Sequence, residues 1–349
     1  MPRRGWFASP RGPDARTPKH EPSDAEGRPS ALRRVGRGVS LCLGCLLLAA
    51  GTASVILHAF PKVQLAHRYT VMAAAFVPYG LVAFGGAAIL LATAAPSRRW
   101  AGPLALAAVA GLVLQAWWAK PYWPSSPSGH GSVTVLTMNM RCSTAGMADL
   151  AALAERLQPG VVVVQDIDWK HRDRLGDAWD SLLPHATFHR AAGATTCGTA
   201  VFSKAPLTEM QSPSPQPVME VGGDTPFLLL PVNMQTPSKG VAAWLEDFQD
   251  LTVAVEGHMG TPLVAAGDFN AVREHAPMRT LTAATGLRDA AELAGNGWTP
   301  TFPSASWHPP LIGLDHVLVS DGMVASDVQT HAIPGQEHRA LSVRIGFAT

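Results

Sequence analysis

The chain has 349 residues, of which 47% are apolar, and its overall charge of +1 combines two parts of opposite sign. Residues 1–120 carry 14 Lys and Arg against 4 Asp and Glu, a net charge of +10, whereas residues 121–349 carry 13 against 22, a net charge of −9. Nucleic-acid affinity comes largely from Lys and Arg that neutralise phosphates, so the acidic part disfavours a nucleic-acid partner. The length allows two domains, and the acidic one suits the binding of metal cations.

The N-terminal part predicts a tail followed by three membrane spans. Residues 1–38 are rich in Pro, Arg, Ser and Gly, which is typical of a disordered tail, here a basic one. Three almost wholly apolar runs follow at about residues 39–60, 69–95 and 101–119, each long enough to cross a bilayer. Taken singly, the first run also fits a cleaved signal peptide, and the other two fit buried core helices. Three runs in series favour a membrane domain, with the lipid bilayer as a partner.

Positive charges beside these runs predict their orientation, because cytoplasmic loops are enriched in Lys and Arg. A basic cluster at residues 33–37 precedes the first run, and Arg98 and Arg99 join the second run to the third. The loop between the first two runs contains only Lys62 and Arg68 as basic residues. We therefore expect a multi-pass protein of the cell membrane with a cytoplasmic N-terminus and an extracellular C-terminal domain.

A linker rich in Pro, Ser and Gly, residues 120–131, leads to a domain over residues 132–349. Apolar residues recur at helical spacing around residues 147–157 and 244–255, which predicts two amphipathic helices. The predicted strands are short apolar runs at residues 133–137, 161–164, 198–202, 227–232, 262–266, 314–319 and 340–345. Strands and helices do not alternate strictly, which predicts a mixed-sheet α/β sandwich and not a Rossmann domain.

The stretch from Gly267 to Asn270 is the most informative about function. It follows an apolar strand, and Gly267 permits a sharp turn there. Asp268 and Asn270 are two residues apart, so in extended chain their side chains point the same way. They would lie at the edge of the sheet, where open α/β folds place their sites. A simple turn closed by Asp and Asn is the alternative interpretation.

Polar residues also follow other predicted strands, and each alone fits a turn or a cap. These residues are Asn139, Asp166, Gln235, Asp315, Glu337 and His338. Their number predicts a polar cluster at one edge of the sheets. Carboxylate and amide oxygens suit Mg²⁺, Mn²⁺ or Ca²⁺, and the sequence has no Cys/His cluster that would indicate zinc. A histidine beside carboxylates suits a general base.

Cysteines are few, and their positions predict one disulfide. Cys142 and Cys197 are the only pair in the predicted outer domain, and cysteine pairs in oxidising compartments often bridge. We therefore hypothesise a bond between them. Cys42 and Cys45 form a C-x-x-C pattern inside the first apolar run, where no thioredoxin-like context supports a redox role.

Six motifs in order resemble the endonuclease/exonuclease/phosphatase superfamily. They are TMN at 137–139, VVVVQD at 161–166, GTAVFSK at 198–204, GDFNA at 267–271, LDHVLVS at 314–320 and EHRAL at 337–341. The resemblance covers nearly all of residues 132–349, and GDFNA is its most specific element. It implies a four-layer α/β sandwich of two mixed β-sheets flanked by helices. It also implies hydrolysis of phosphate esters with a divalent metal, usually Mg²⁺, with Mn²⁺ as the alternative.

The resemblance implies catalytic roles by position. Asp268 matches the residue that orients or deprotonates the attacking water, and Asn270 matches one that binds a phosphate oxygen. Asp315 matches the carboxylate that hydrogen-bonds the catalytic histidine, and His338 matches that histidine. Either Asp268 or His338 would then activate the water.

The resemblance also implies binding roles, and three of these positions depart from the family pattern. Asn139 matches an asparagine that helps to bind metal and phosphate. The metal-binding Glu of the family is replaced by Asp166, which is one methylene shorter. The carboxylate before the histidine is the longer Glu337, also expected at the metal. A family histidine is replaced by Gln235, which still donates a hydrogen bond to phosphate but carries no charge.

Three spans followed by an outward-facing domain also resemble membrane proteins of the VanJ type, which are associated with teicoplanin resistance. We therefore predict a membrane-anchored, divalent-metal-dependent phosphohydrolase that acts on a lipid-linked or small phosphorylated substrate, with undecaprenyl pyrophosphate as a candidate. An extracellular metal-dependent nuclease is the first alternative, which a basic groove would support. A catalytically impaired binding or sensing domain is the second alternative, which the three departures support.

Overall fold

The computed structural model describes residues 31–95, 99–190, 196–304 and 307–348. Residues 1–30 of the predicted disordered tail lie outside the described residues, as does Arg98 of the predicted cytoplasmic loop. The last part of that tail, from residue 31, is helical. The described chain consists of a helical N-terminal part and an α/β domain.

Helices in the N-terminal part provide three candidate membrane spans. The helices are α1 Ala31–Ala59, α2 Pro61–Gln64, α3 Arg68–Ala74, α4 Gly80–Ala94 and α5 Ala101–Trp118. Among the described residues, the segments long and apolar enough to cross a membrane are Arg34–Ala59, Val77–Ala94 and Ala101–Trp118. Gly111 on α5 lies so close to Phe84 on α4 that a Cβ atom would be 2.4 Å from the ring, so a small residue allows this packing.

The second span is shorter than the predicted run of residues 69–95. Helix α3 ends at Ala74, and a 3₁₀ turn at Val77–Tyr79 separates it from α4. Pro78 lies in that turn and has no backbone N–H, which interrupts the helical hydrogen bonding. Helix α3 instead packs against the α/β domain, where Val71 belongs to the buried core.

The α/β domain consists of two six-stranded sheets with helices on their outer faces. Its strands are β1 Val133–Asn139, β2 Val161–Asp168, β3 His185–Arg190, β4 Cys197–Ser203, β5 Leu207–Met210, β6 Val218–Val221, β7 Phe227–Asn233, β8 Leu263–Asp268, β9 Arg288–Asp289, β10 Asp315–Val319, β11 Met323–Ala332 and β12 Arg339–Phe347. Its helices are α6 Met147–Leu157, α7 Asp177–Leu182, α8 Val241–Glu256, α9 Ala276–Thr285 and α10 Ala290–Leu293.

The two sheets are mixed and packed face to face, which confirms the predicted sandwich. The strand order is β11-β12-β1-β2-β4-β3 in the first sheet and β5-β6-β7-β8-β10-β9 in the second. Val163 and Val264 belong to the apolar layer between the sheets. Trp179 on α7 is buried against the first sheet and Trp244 on α8 against the second. Strand β2 is covered on both faces, which explains its uninterrupted run of valines.

The predicted linker, residues 120–131, follows the surface of the α/β domain. The N–H of Ser125 donates to the carbonyl of Gly295 at 2.9 Å, and the N–H of Ser128 donates to the carbonyl of Leu293 at 2.7 Å. The linker is therefore bonded to the end of α10 instead of hanging free between the two parts.

The ends of six strands meet at one edge of the sandwich. Strands β1 and β2 are parallel, as are β7 and β8, so the C-terminal ends within each pair lie side by side. Strand β12 is antiparallel to β1, and β10 is antiparallel to β8, which brings their N-terminal ends to the same edge. In this register Asp315 is the partner of Asp268. Chain topology therefore collects polar residues that are far apart in the sequence.

Candidate active site

The backbone at Gly267 brings strands β7 and β8 close together where the site begins. Gly267 has a φ of 150°, and a Cβ atom there would lie 1.9 Å from the carbonyl oxygen of Val232 on β7. Only glycine allows such an approach. The glycine before Asp268 is therefore required by the packing of the two central strands.

Asp268 is fully buried at the centre of a hydrogen-bond network. Its Oδ1 accepts from the backbone N–H of Asn270 at 2.8 Å, and its Oδ2 accepts from Nδ2 of Asn139 at 2.8 Å. Nδ2 of Asn270 also donates to this Oδ2 at 3.2 Å and to the carbonyl of Met234 at 2.8 Å. The structure thus brings Asn139, Asp268 and Asn270 together from two different sheets.

A buried histidine and a second aspartate complete the cluster. Nδ1 of His338 lies 2.9 Å from Oδ2 of Asp315, and Nε2 of His338 lies 3.9 Å from Oδ2 of Asp268. The ring of Phe302 lies against the imidazole, with 5.1 Å between the ring centroids. Oδ1 of Asp315 is buried and has no hydrogen-bond partner among the described residues. His338 therefore lies between the two carboxylates.

Burial and mutual charge shift the pKa values of this cluster. Burial is the main cause that raises the pKa of Asp268 to about 7, followed by the nearby charge of Asp315. Burial alone would lower the pKa of His338, but the charge and hydrogen bond of Asp315 raise it to about 9. At neutral pH His338 is therefore protonated, whereas Asp268 is able to gain and lose a proton.

Asp166 lies beside the cluster in a β-bulge. The pairing of β2 with β4 shifts between Val164 and Ile167, and Asp166 has a φ of 49°. Oδ1 of Asp166 accepts from Nδ2 of Asn233 at 2.9 Å. Strand β2 therefore continues past residue 164, its predicted end, because the bulge absorbs the additional residues.

Two residues that the sequence interpretation did not single out belong to this site. Asn233 is the register partner of Asp268 on the neighbouring strand and binds Asp166. Arg141 donates its backbone N–H to Oδ1 of Asn139 at 2.8 Å, and its side chain is half exposed. The available signal for Asn233 was its position at the end of an apolar strand, the same signal that identified Asn139.

Gln235 and Glu337 lie outside the hydrogen-bonded cluster. Gln235 is exposed, and its backbone N–H donates to Oδ2 of Asp247 at 2.6 Å. The side chain of Glu337 is 59% exposed and forms an ion pair with Arg141. A carboxylate already paired with a guanidinium is less available to a metal, and the metal-binding role of Glu337 stays a prediction.

The hypothesised disulfide between Cys142 and Cys197 is present, with 5.8 Å between the Cα atoms. Cys142 directly follows Arg141, and its N–H donates to the carbonyl of Asp166 at 2.6 Å. The disulfide therefore joins the loop after β1 to the start of β4, beside the bulge of β2. It restrains the backbone that carries Arg141.

The donor set of the site fits a divalent cation. Asp268, Asp315 and His338 are all buried, and their potential ligand atoms lie within 4.8 Å of one another, although His338 must lose its proton before it could bind a metal. The partnerless Oδ1 of Asp315 is a further reason to expect a ligand there, because buried polar atoms are normally bonded. Asp166 and Asn139 supply more oxygen atoms at the same edge. Oxygen donors of this kind suit Mg²⁺ or Mn²⁺.

The sequence profile of the Endonuclease/Exonuclease/phosphatase family matches residues 136–338. This range is more than half of the chain and contains every residue of the cluster. No curated protein shows significant sequence similarity to the chain.

Several solved structures resemble the chain at low identity. An endonuclease/exonuclease/phosphatase from Beutenbergia cavernae has 18% identity and a TM-score of 0.49, covering 62% of this chain and 72% of its own. A 3′ phosphatase from Neisseria bound to a product DNA hairpin has 16% identity and a TM-score of 0.49, covering 62% and 100%. Sphingomyelinase C from Streptomyces griseocarneus has 17% identity and a TM-score of 0.46, covering 61% and 99%. At such identities no substrate is transferred to this chain.

Proposed function

We propose, from the premise that this chain belongs to the endonuclease/exonuclease/phosphatase family, that it is a membrane-anchored phosphohydrolase. The observation that carries the proposal is the buried cluster formed by Asn139, Asp268, Asp315 and His338. It combines a carboxyl group that titrates near neutral pH with a protonated imidazole. This combination suits the attack of water on phosphorus.

Asp268 is the general base in this proposal. Its pKa of about 7 allows it to accept a proton from water near neutral pH, while Asn139 and Asn270 hold its oxygens in place. His338, held by Asp315, donates from Nε2 to a phosphate oxygen and offsets the negative charge of the transition state. With a pKa of about 9, His338 is less suited to be the base, because it must first lose its proton.

The family implies a divalent cation, and the residues of this site fit one. In our proposal Asp166 and Asn139 hold Mg²⁺ or Mn²⁺, with Glu337 as a further proposed ligand. When bound, such an ion neutralises the scissile phosphate and helps to position it. Arg141 supplies a further positive charge at the mouth of the site, while Gln235 remains a proposed hydrogen-bond donor to phosphate.

The position of the site beside the membrane part supports a lipid-linked substrate. Ala75, which precedes the second span, packs in one apolar cluster with Val272 and Leu314 of the α/β domain. Leu314 directly precedes Asp315, and consecutive Cα atoms are about 3.8 Å apart. The residue next to Asp315 thus contacts the segment that leads into the second span. We propose a lipid-linked phosphate or pyrophosphate, with undecaprenyl pyrophosphate as the candidate, and a small phosphorylated molecule as the alternative.

The extracellular orientation is also a proposal. The α/β domain contacts the end of α1 and the residues just before α4 and just after α5, so these points lie on one side of the bundle. Arg34 and Arg37 lie at the opposite end of α1, and Arg99 precedes α5. The excess of positive charge on that opposite side supports a cytoplasmic N-terminus.

Phosphate release by the full-length chain in lipid nanodiscs tests this proposal. Undecaprenyl pyrophosphate, a soluble phosphomonoester and plasmid DNA are supplied in parallel with Mg²⁺ or Mn²⁺, with EDTA and His338→Ala as controls. We expect metal-dependent release from the lipid while DNA stays intact. Nicking of the DNA would favour a nuclease instead, and a folded protein that attacks none of the three would favour a binding or sensing domain.

A further inference from the structure

The ends of the candidate membrane spans that face the α/β domain contact the loop that follows β8. This loop, residues 270–276, leads from Asn270 into helix α9, and we call it the catalytic loop. We call residues 60–79, between helices α1 and α4, the docking segment. Hydrogen bonds reach the catalytic loop from this segment and from Tyr122, which follows the third span. The anchor and the catalytic loop therefore form one packed unit.

Gln64 makes the most specific contact of the docking segment. Its side chain is fully buried, although glutamine is mostly exposed in proteins. Its Oε1 accepts from the N–H of Ala276 at 2.6 Å, and its Nε2 donates to the carbonyls of Glu274 at 3.1 Å and Leu57 at 3.0 Å. One amide thus joins the end of the first span to two backbone groups at the end of the catalytic loop. Removing it would leave buried backbone groups without partners.

His275 connects the docking segment to the middle of the catalytic loop. Its Nε2 lies 2.9 Å from the carbonyl oxygen of Val71, and its Nδ1 accepts from the N–H of Val272 at 2.9 Å. Nε2 faces a carbonyl oxygen and must donate, whereas Nδ1 faces an N–H and must accept. The ring is therefore neutral, with its proton on Nε2. Burial lowers the pKa of His275 to about 4, in agreement with this state. The side chain of His275 therefore links the turn at Val272 to the backbone of α3.

Tyr122 and an apolar cluster hold the other side of the loop. The hydroxyl of Tyr122 lies 2.7 and 2.8 Å from the two carboxylate oxygens of Glu274. Ala75 of the docking segment packs with Val272 and with Leu314, the residue before Asp315. Asp268 and Asp315 are thus each followed or preceded, within four residues of sequence, by a residue that contacts the N-terminal part.

We propose that the docking segment is a positioning element of the active site and that Gln64 is its principal positioning residue. The coupling path from Gln64 is short. His275 lies between Glu274 and Ala276, the two loop partners of Gln64, and accepts a hydrogen bond from Val272. Val272 follows Asn270 by two residues, so their Cα atoms are at most about 7 Å apart. Asn270 in turn holds both oxygens of Asp268. Loosening the interface would therefore disorder the hydrogen bonds of the proposed base. The effect on turnover rests on the proposed function, whereas the effect on the loop does not.

Hydrogen exchange of the full-length protein in nanodiscs tests the structural claim without any substrate. Gln64→Met keeps the side-chain length but removes three hydrogen bonds, and Gln249→Met on the exposed face of α8 is the matched control. We expect Gln64→Met to speed exchange in residues 268–276 by about tenfold or more, with β4 unchanged. Unchanged exchange in this segment, or a rise spread over the whole domain, would overturn the proposal.

Turnover of the substrate that the wild-type protein hydrolyses in the three-substrate comparison provides the second readout. We expect Gln64→Met to lower kcat by about tenfold with KM within about twofold, because a positioning residue does not contact the substrate. A changed KM with an unchanged kcat would overturn the positioning role. If the wild-type protein hydrolyses nothing, the proposed function fails while the exchange result still decides this proposal.

A second variant keeps the proposal testable if Gln64→Met does not fold. Tyr122→Phe retains the buried ring but loses the hydroxyl that contacts Glu274. We expect the same local rise in exchange over the catalytic loop. Adding Glu274→Gln removes the carboxylate left without its partner and should bring exchange back towards the wild-type rate. A Tyr122→Phe variant with wild-type exchange in the loop would count against the coupling.

Discussion

The centre of the site and its rim differ in burial and in how closely they match the family. The four central residues are at most 4% exposed and are hydrogen-bonded in pairs: Asn139, Asp268, Asp315 and His338. At the rim, Asp166 is partly exposed, and Gln235 and Glu337 are exposed. All three departures from the family pattern lie at the rim.

This difference indicates which part of the site is free to vary. A buried polar group that loses its partner costs about 1–3 kcal/mol, so a change of side-chain length at the centre is costly. An exposed side chain is able to lengthen or shorten in water with an effect within about 0.5 kcal/mol. We therefore expect the centre to carry turnover and the rim to adjust the binding of metal and substrate.

The largest expected effect is at the centre. His338→Ala should lower metal-dependent phosphate release by about 10²–10⁴-fold, because it removes the imidazole that faces the proposed base. His130→Ala, an exposed histidine of the linker, is the matched control and should retain wild-type turnover. Loss of less than tenfold in His338→Ala, with the protein folded, would contradict the assignment of the centre.

A smaller effect on turnover is expected at Asp166, the proposed metal ligand at the rim. Asp166→Ala should raise the Mg²⁺ or Mn²⁺ concentration that gives half-maximal turnover by about 10–100-fold, because one carboxylate donor is lost. Turnover measured across a metal titration gives this value, with Asp321→Ala in an exposed turn as the control. An unchanged metal requirement would remove Asp166 from the ligand set.

A still smaller effect is expected from restoring the family residue at the rim. Gln235→His should change kcat/KM by less than about tenfold and leave the thermal unfolding midpoint unchanged, because the side chain is exposed. Steady-state kinetics and a thermal scan on the same sample measure both. A loss of stability in this variant would break the distinction between centre and rim.

A second His–Asp pair, outside the centre, sharpens the comparison. Nδ1 of His316 lies 2.8 Å from Oδ2 of Asp289, almost the separation found between His338 and Asp315. Burial would lower the pKa of His316, but the hydrogen bond and charge of Asp289 raise it above its usual value. Such a group stabilises fully below its unfolded pKa of about 6.5, and the contribution is lost as pH rises through the folded pKa.

We expect this second pair to affect stability more than turnover. As the pH rises from about 6.5 through the raised folded pKa of His316, the wild-type protein should lose stability that His316→Gln does not lose. Thermal unfolding at a series of pH values measures this. Nε2 of His316 also lies 2.9 Å from the carbonyl oxygen of Ala271 in the catalytic loop, so kcat of His316→Gln should fall, but by much less than that of His338→Ala. Equal losses of turnover in His316→Gln and His338→Ala would contradict the assignment of separate roles.

Local signals were sufficient to predict the centre of the site. Asp268 and Asn270 follow a short apolar strand and a glycine, so their convergence could be read from spacing and strand geometry. The partner strands were also apolar runs that end in polar residues, and the sheet topology brings those ends together. Asp166 was placed at a strand end because a bulge does not alter the apolar pattern before it.

Long-range contacts could not be predicted in this way. Gln64 is a single polar residue in an apolar region, and its partners Glu274 and Ala276 lie 210 and 212 residues further along the chain. The run of residues 69–95 was predicted as one span because hydropathy does not distinguish a helix that faces lipid from α3, which docks on a domain. Strands such as β3, at a sheet edge, were missed because they are only partly buried.

The contacts between the docking segment and the α/β domain also determine whether that domain can be fused to the anchor of another protein. A domain on a free linker can be moved to a new anchor by joining it anywhere along that linker. Here, such a junction would separate Gln64 from Ala276, and the linker itself is bonded to the end of α10. The smallest transferable unit is therefore the helical N-terminal part together with the α/β domain. In descent, substitutions in residues 60–79 and in residues 270–276 would have to be accepted together, so that these two parts evolve as a pair.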